Sequence, residues 1–178
     1  MQRSHTPEEH LILFTSRSSV PSCGPSLHPF VRSRAAVAMP DLGFAAFVER
    51  NRPRYTRYAQ ARLASDTDGA DAVRATLDYA WEDWDWLLGQ PSLAADVWDE
   101  LRYQVRCLSS AAPSREGEVV AIYRGLPETS ADSVLLCHLL GLPVGEAAEL
   151  MGLETPAVQA GLAVACRALP HLAERGRI

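Results

Sequence analysis

From Leu42 onward the apolar residues recur at three- and four-residue spacing, and no stretch sustains the alternation of a strand. Leu42 to Leu63 reads as a helix that buries Phe44, Phe47, Val48, Tyr55, Tyr58, Ala59 and Leu63, with Pro53 expected to divide or kink it. Ser65-Asp66-Thr67-Asp68 offers several N-caps for a second helix, Gly69 to Leu88. That helix carries Val73, Thr76, Leu77, Ala80, Trp81 and Trp84 on one wide stripe, so the two tryptophans read chiefly as packing residues. Stacking on unpaired bases is the alternative, disfavoured by Glu82, Asp83 and Asp85 among them. A third helix is expected over Leu93 to Leu108, with Val97, Trp98, Leu101, Val105 and Leu108 inward.

The polar run Ser109 to Gly117 reads as a linker, and shorter helical segments follow it. These are Glu118 to Gly125, Ser130 to Leu140 and Val144 to Met151, the last two separated by the breaker Gly141-Leu142-Pro143. Gly152 supplies a tight turn. Thr155 as N-cap and Pro156 at the first helical position then open a final helix whose stripe is Val158, Leu162, Ala165 and Leu169. Two short helices joined by a glycine turn, the second capped and amphipathic, form the arrangement that sets a helix into a DNA major groove; a plain small bundle is the alternative.

The 178 residues carry a formal net charge of -5, the wrong sign for a protein that holds nucleic acid by its overall field. Any DNA contact must be local or supported by a partner. No apolar run approaches membrane-spanning length, so a soluble cytoplasmic protein is expected. Cys23, Cys107, Cys137 and Cys166 are scattered without a CxxC pair, and buried free thiols are expected rather than disulfides or zinc. Neither a nucleophile with its base, nor a metal cluster, nor a glycine loop appears, so no catalytic residue, metal or cofactor is assigned and an enzyme is not expected. Residues 1–38 are rich in Ser, Pro and Arg and read as a disordered extension. Arg50, Arg52, Arg54, Arg57 and Arg62 make the first helix the most basic piece of the chain, either a surface for nucleic acid or an acidic partner, or a solvated face.

Phe47-Val48-Glu49-Arg50-Asn51-Arg52-Pro53-Arg54-Tyr55 resembles the opening helix of a sigma-2 domain, and Asp68 to Leu77 with Ala80-Trp81 resembles its polymerase-docking helix. Leu126-Pro127-Glu128, Val134-Leu135-Leu136, Gly141-Leu142-Pro143, Glu146 to Gly152 and Val158 resemble a sigma-4 domain step for step. Together, over Phe44 to Leu169, the chain resembles an RNA polymerase sigma factor of the extracytoplasmic-function type. The resemblance implies an all-α fold of two small helical domains on a flexible linker: a sigma-2-like bundle over 39–108, a linker over 109–117 and a sigma-4-like helix-turn-helix over 118–172. It implies binding of core RNA polymerase through Asp71, Val73, Arg74 and Leu77, with Arg52, Arg54 and Arg57 contributing. It further implies reading of double-stranded promoter DNA by Thr155, Gln159, Ala160, Ala163 and Arg167, and regulation by an anti-sigma or similar protein. The sequence departs from the family where it matters for DNA. Gln159, Ala160 and Gly161 stand where basic and hydroxyl residues are common, leaving Gln159 for a base contact and Arg167 for a phosphate. Weak or partner-assisted DNA binding is therefore expected. The alternative is an interaction protein that keeps the fold without DNA, as a competitor or regulator of another sigma factor.

Overall fold

The computed structural model describes residues 41–109, 114 and 116–170. The expected extension over 1–38 and part of the expected linker lie outside the described residues. Helix α1, Leu42–Arg62, starts where the Asp41 carboxylate accepts the Gly43 N–H at 2.7 Å. It runs unbroken through Pro53, contrary to the expected division. Pro53 withholds a hydrogen bond from the carbonyl of Glu49, but both residues are exposed and water can take that place.

Helix α2, Asp66–Glu82, begins at Ser65, whose hydroxyl accepts the Asp68 N–H at 3.3 Å; Asp66 and Asp68 add favourable charge in the first turn. The helix stops at Asp83 rather than continuing to Leu88, and α3, Trp84–Leu87, follows as a separate turn. Trp84 packs against Phe44 and Phe47 and donates its indole N–H to Asp41 at 3.0 Å. Trp81 stacks on Phe44 yet stays 45% exposed, so the packing role expected of both tryptophans holds fully only for Trp84. Helix α4, Leu93–Ser109, matches its expected span within a residue and buries Val97, Trp98, Leu101 and Val105.

The second set comprises α5, Gly117–Gly125, and α6, Glu128–Val134, which passes directly into a π-helical turn, Leu135–Leu139. It continues with α7, Val144–Met151, and α8, Thr155–Ala168. The Leu140 N–H reaches back to Leu135 and that of Leu142 to Leu136, a wide closure that Gly141 permits at φ +70°. Among the described residues no strand forms. The fold is all-α. No helix of the described residues is long and apolar enough to cross a membrane.

The two sets of helices are not separated by a gap. One core joins Tyr55, Tyr58, Trp98 and Leu101 of the first set to Leu135, Leu136, Leu150 and Met151 of the second. A smaller cluster of Ile122, Leu126, Ala131, Val134 and Ala165 ties α5, α6 and α8 together. Two of the expected free thiols, Cys137 and Cys166, are present as such, but Cys107 is disulfide-bonded. Spacing alone carried no sign of it.

The two sets approach closely at the turn between α7 and α8. Gly152 closes α7 at φ +64°, and a Cβ placed there would stand 2.2 Å from the Ala95 backbone nitrogen at the head of α4. The Ser92 hydroxyl, which accepts the Ala95 N–H at 3.2 Å, also donates to the Gly152 carbonyl at 3.4 Å. Left-handed backbone and lack of room thus demand glycine at one position for independent reasons. Gly152→Ala is expected to destabilise the fold by about 2–5 kcal/mol, the sum of strain and overpacking. Urea unfolding measures it, and a loss below about 0.5 kcal/mol would contradict the close approach.

Candidate nucleic-acid and protein interfaces

Helix α8 buries Gly161 and Ala165 against α6 and Val158 in the larger core, and turns its other side outward. Thr155, Gln159, Ala160, Ala163 and Arg167 are all exposed there; Thr155, Gln159, Ala163 and Arg167 advance by four residues and Ala160 lies beside them. Thr155 is the first helical residue rather than the cap. Glu154 takes the cap position, no side chain completes the cap, and Pro156 is the second helical residue rather than the first, still within the turn where its missing N–H is tolerated. An exposed carboxylate at this end opposes a phosphate. Arg167 forms no ion pair among the described residues and is the one basic side chain on α8. Gly161, which from sequence only weakens the helix, has a positive use here. A Cβ on it would come within 2.8 Å of the Ser133 hydroxyl and 3.4 Å of the Ser130 Cα, so α6 and α8 approach closely because position 161 has no side chain.

The residues assigned to a polymerase surface do not form one patch. Val73 is 3% exposed and belongs to the core, which removes it from any contact surface in this form; its place on the apolar stripe of α2 already allowed that reading. Leu77 packs half-buried against the same core. Asp71 and Arg74 remain at the surface, paired with each other at 2.8 Å. On α1, Arg52 is exposed, whereas its neighbours are engaged with the second set of helices. Arg50 donates to Glu149 at 2.6 Å, Arg54 to Glu146 at 2.9 Å, and Arg57 to the Leu140 carbonyl at 2.5 Å.

Sequence reasoning missed the centre of this junction. Asp132 of α6 is fully buried and accepts hydrogen bonds from Tyr58 of α1 at 2.8 Å and Tyr123 of α5 at 2.5 Å. Arg102 of α4 lies 3.3 Å from its second carboxylate oxygen and donates to Glu128 at 2.5 Å, while Arg106 reaches Glu128 at 3.0 Å. The Arg62 guanidinium sits 3.4 Å from the centre of the Tyr123 ring. A lone acid inside the apolar pattern 130–136 was the available signal.

Burial drives the Asp132 carboxyl up to about 6, against the opposing pull of the Tyr123 hydrogen bond, Arg102, Tyr58 and Arg62. Burial also raises Glu128, but the hydrogen bond and charge of Arg102, with Arg106 and Arg62, outweigh it and leave that carboxyl below its usual value. Burial holds the phenols of Tyr58 and Tyr123 far above their ordinary value, so both stay donors. Among the described residues no group of three His, Cys, Asp or Glu side chains could hold a metal ion.

The chain superposes on the structure of CnrH in complex with the cytosolic domain of CnrY with a TM-score of 0.52 and 22% sequence identity, covering 75% of this chain and 89% of that chain. CnrH is an extracytoplasmic-function sigma factor and CnrY its anti-sigma protein. The fold is sigma-factor-like. No protein-family model matches the chain, and no curated protein matches it.

The raised Asp132 has a defined consequence. A carboxyl that titrates higher in the folded than in the unfolded protein contributes stability that is complete below the unfolded value, near 3.8, and lost as pH rises through about 6. The stability of wild type relative to Asp132→Asn is therefore expected to fall between pH 4 and 6. Urea titrations of both proteins across that range check it; a constant difference would mean that Asp132 is not held as described.

Proposed function

We propose that this protein is a sigma-factor-like transcription initiation protein that binds core RNA polymerase and contacts promoter DNA weakly or with the help of a partner. The observation that carries the reading is the outward face of α8. Within a sigma-like fold, the positions expected to meet the groove are the ones left uncovered: Thr155, Gln159, Ala160, Ala163 and Arg167. Gln159 has the amide geometry for a bidentate contact with adenine, and Arg167 is placed as a phosphate clamp. One arginine on an acidic chain supplies little counterion release, so affinity from α8 alone is low. Polymerase then holds the protein near the promoter, and the helix contributes selection more than grip. Of the residues assigned to polymerase, Asp71, Arg74 and Arg52 remain at the surface and supply the contacts. Such a protein works in the cytoplasm.

A second reading follows from the same helix. Ala160, Ala163 and half-buried Val164 make a small, apolar outer face that suits a protein contact, as in a competitor or regulator of another sigma factor. CnrH is seen bound to a regulatory protein, and an anti-sigma-type partner is a natural expectation for this chain too.

Retention of core polymerase by the immobilised chain tests the first half of the proposal, and DNA binding at two salt concentrations separates the readings. With polymerase present, Arg167→Ala is expected to weaken binding to all sequences alike and to lower the salt slope by about 1. Gln159→Ala is expected to relax preference at one base pair, worth about 1–3 kcal/mol of discrimination. Binding that is negligible and flat with salt, for wild type as for both variants, would favour the interaction protein.

A further inference from the structure

Helix α1 carries five arginines and one acid, Glu49, and four of those arginines lie within eight residues. Among the described residues two carboxylates pair with that run of four, both from α7. Glu149 takes Arg50 and Glu146 takes Arg54, so acids three residues apart on one helix face arginines four apart on another, in antiparallel sense. The row is under-neutralised. Arg57 is spent on a backbone carbonyl, and Nη1 of Arg54 is buried with no acceptor among the described residues.

We propose that the row Arg50, Arg54 and Arg57, on one face of α1, is a docking site for an acidic helix of a protein partner, and that Glu146 and Glu149 of α7 occupy it in the closed chain. The inference deepens the reading of the protein as a polymerase-bound factor, on which it rests, by naming the partner's chemistry: carboxylates repeated at three- and four-residue intervals on one helical face. Both present pairs are at least partly exposed, the Arg50 pair about half so on each side, and exposed pairs are weak and screened by salt. Guanidinium groups on long flexible stems can leave such partners for a second helix that offers more carboxylates along the same line. A helix fits this row better than a phosphate backbone does, because the one occupant present holds its acids at helical spacing.

The test uses the full chain and a labelled alanine-based helical peptide with glutamates three residues apart, titrated at low salt by fluorescence anisotropy. Glu146→Gln with Glu149→Gln removes the competing charge and keeps side-chain shape. That double variant is expected to bind the peptide at least tenfold more tightly than wild type. Adding Arg50→Gln, Arg54→Gln and Arg57→Gln is expected to abolish the gain, with circular dichroism confirming the fold of each variant. A peptide of equal charge with glutamates two residues apart should bind more weakly. Equal binding by wild type and the double variant, gain that survives loss of the arginines, or an oligonucleotide of matched charge binding the row as tightly would each overturn the proposal. Core polymerase capture is measured beside it. Peptide binding without polymerase capture defeats the polymerase reading alone, and capture without peptide binding defeats the docking row alone.

Discussion

A carboxylate with no access to water holds the centre of this molecule. Asp132 is tolerated because helices from both sides of the junction supply its partners: Tyr58 from α1, Arg102 from α4 and Tyr123 from α5. Removing a partner from such a group leaves a buried charge uncompensated, whereas the complete set adds little net stability over apolar packing. The cluster links α1, α4 and α5 to α6 through one side chain. Around it the apolar core supplies the stability, and the contact of Gly152 with Ala95 sets how closely the α7–α8 turn seats on the head of α4.

This arrangement sorts the surface into what is spent and what is available. The α1 arginines are partly occupied by α7, and Val73 is internal. The outer side of α8 is covered by nothing among the described residues, and its chemistry is thin: one amide, one guanidinium and small side chains. Under the proposed function, chemistry this thin leaves the grip on DNA to a larger assembly. Long-range attraction could not compensate, since the chain as a whole is acidic.

Most helices were legible because each buries a stripe whose three- and four-residue spacing is a local property. Helix α7 was read to the residue and α4 to within one. Pro53 misled because the missing hydrogen bond falls on the solvent side, where it costs little. Asp83 ended α2 earlier than the pattern suggested, since Trp84 turns inward to Phe44, Phe47 and Asp41, a choice made by tertiary contacts. The exposed positions of α8 could be read because the buried stripe defines its opposite. Gly161 looked like a defect until its neighbour α6 was visible, and the bonded state of Cys107 had no local signature. Nothing in the spacing of Asp132, Tyr58 and Arg102, separated by up to 74 residues, announced that they meet.

The account stands or falls on whether this chain directs a polymerase. Run-off transcription from fragmented genomic DNA, with purified core enzyme and this protein as the one added factor, is the most direct measurement. Discrete transcripts that appear only when the protein is present, and diminish with Arg167→Ala, are the predicted result. The same random background with and without the protein would contradict the account.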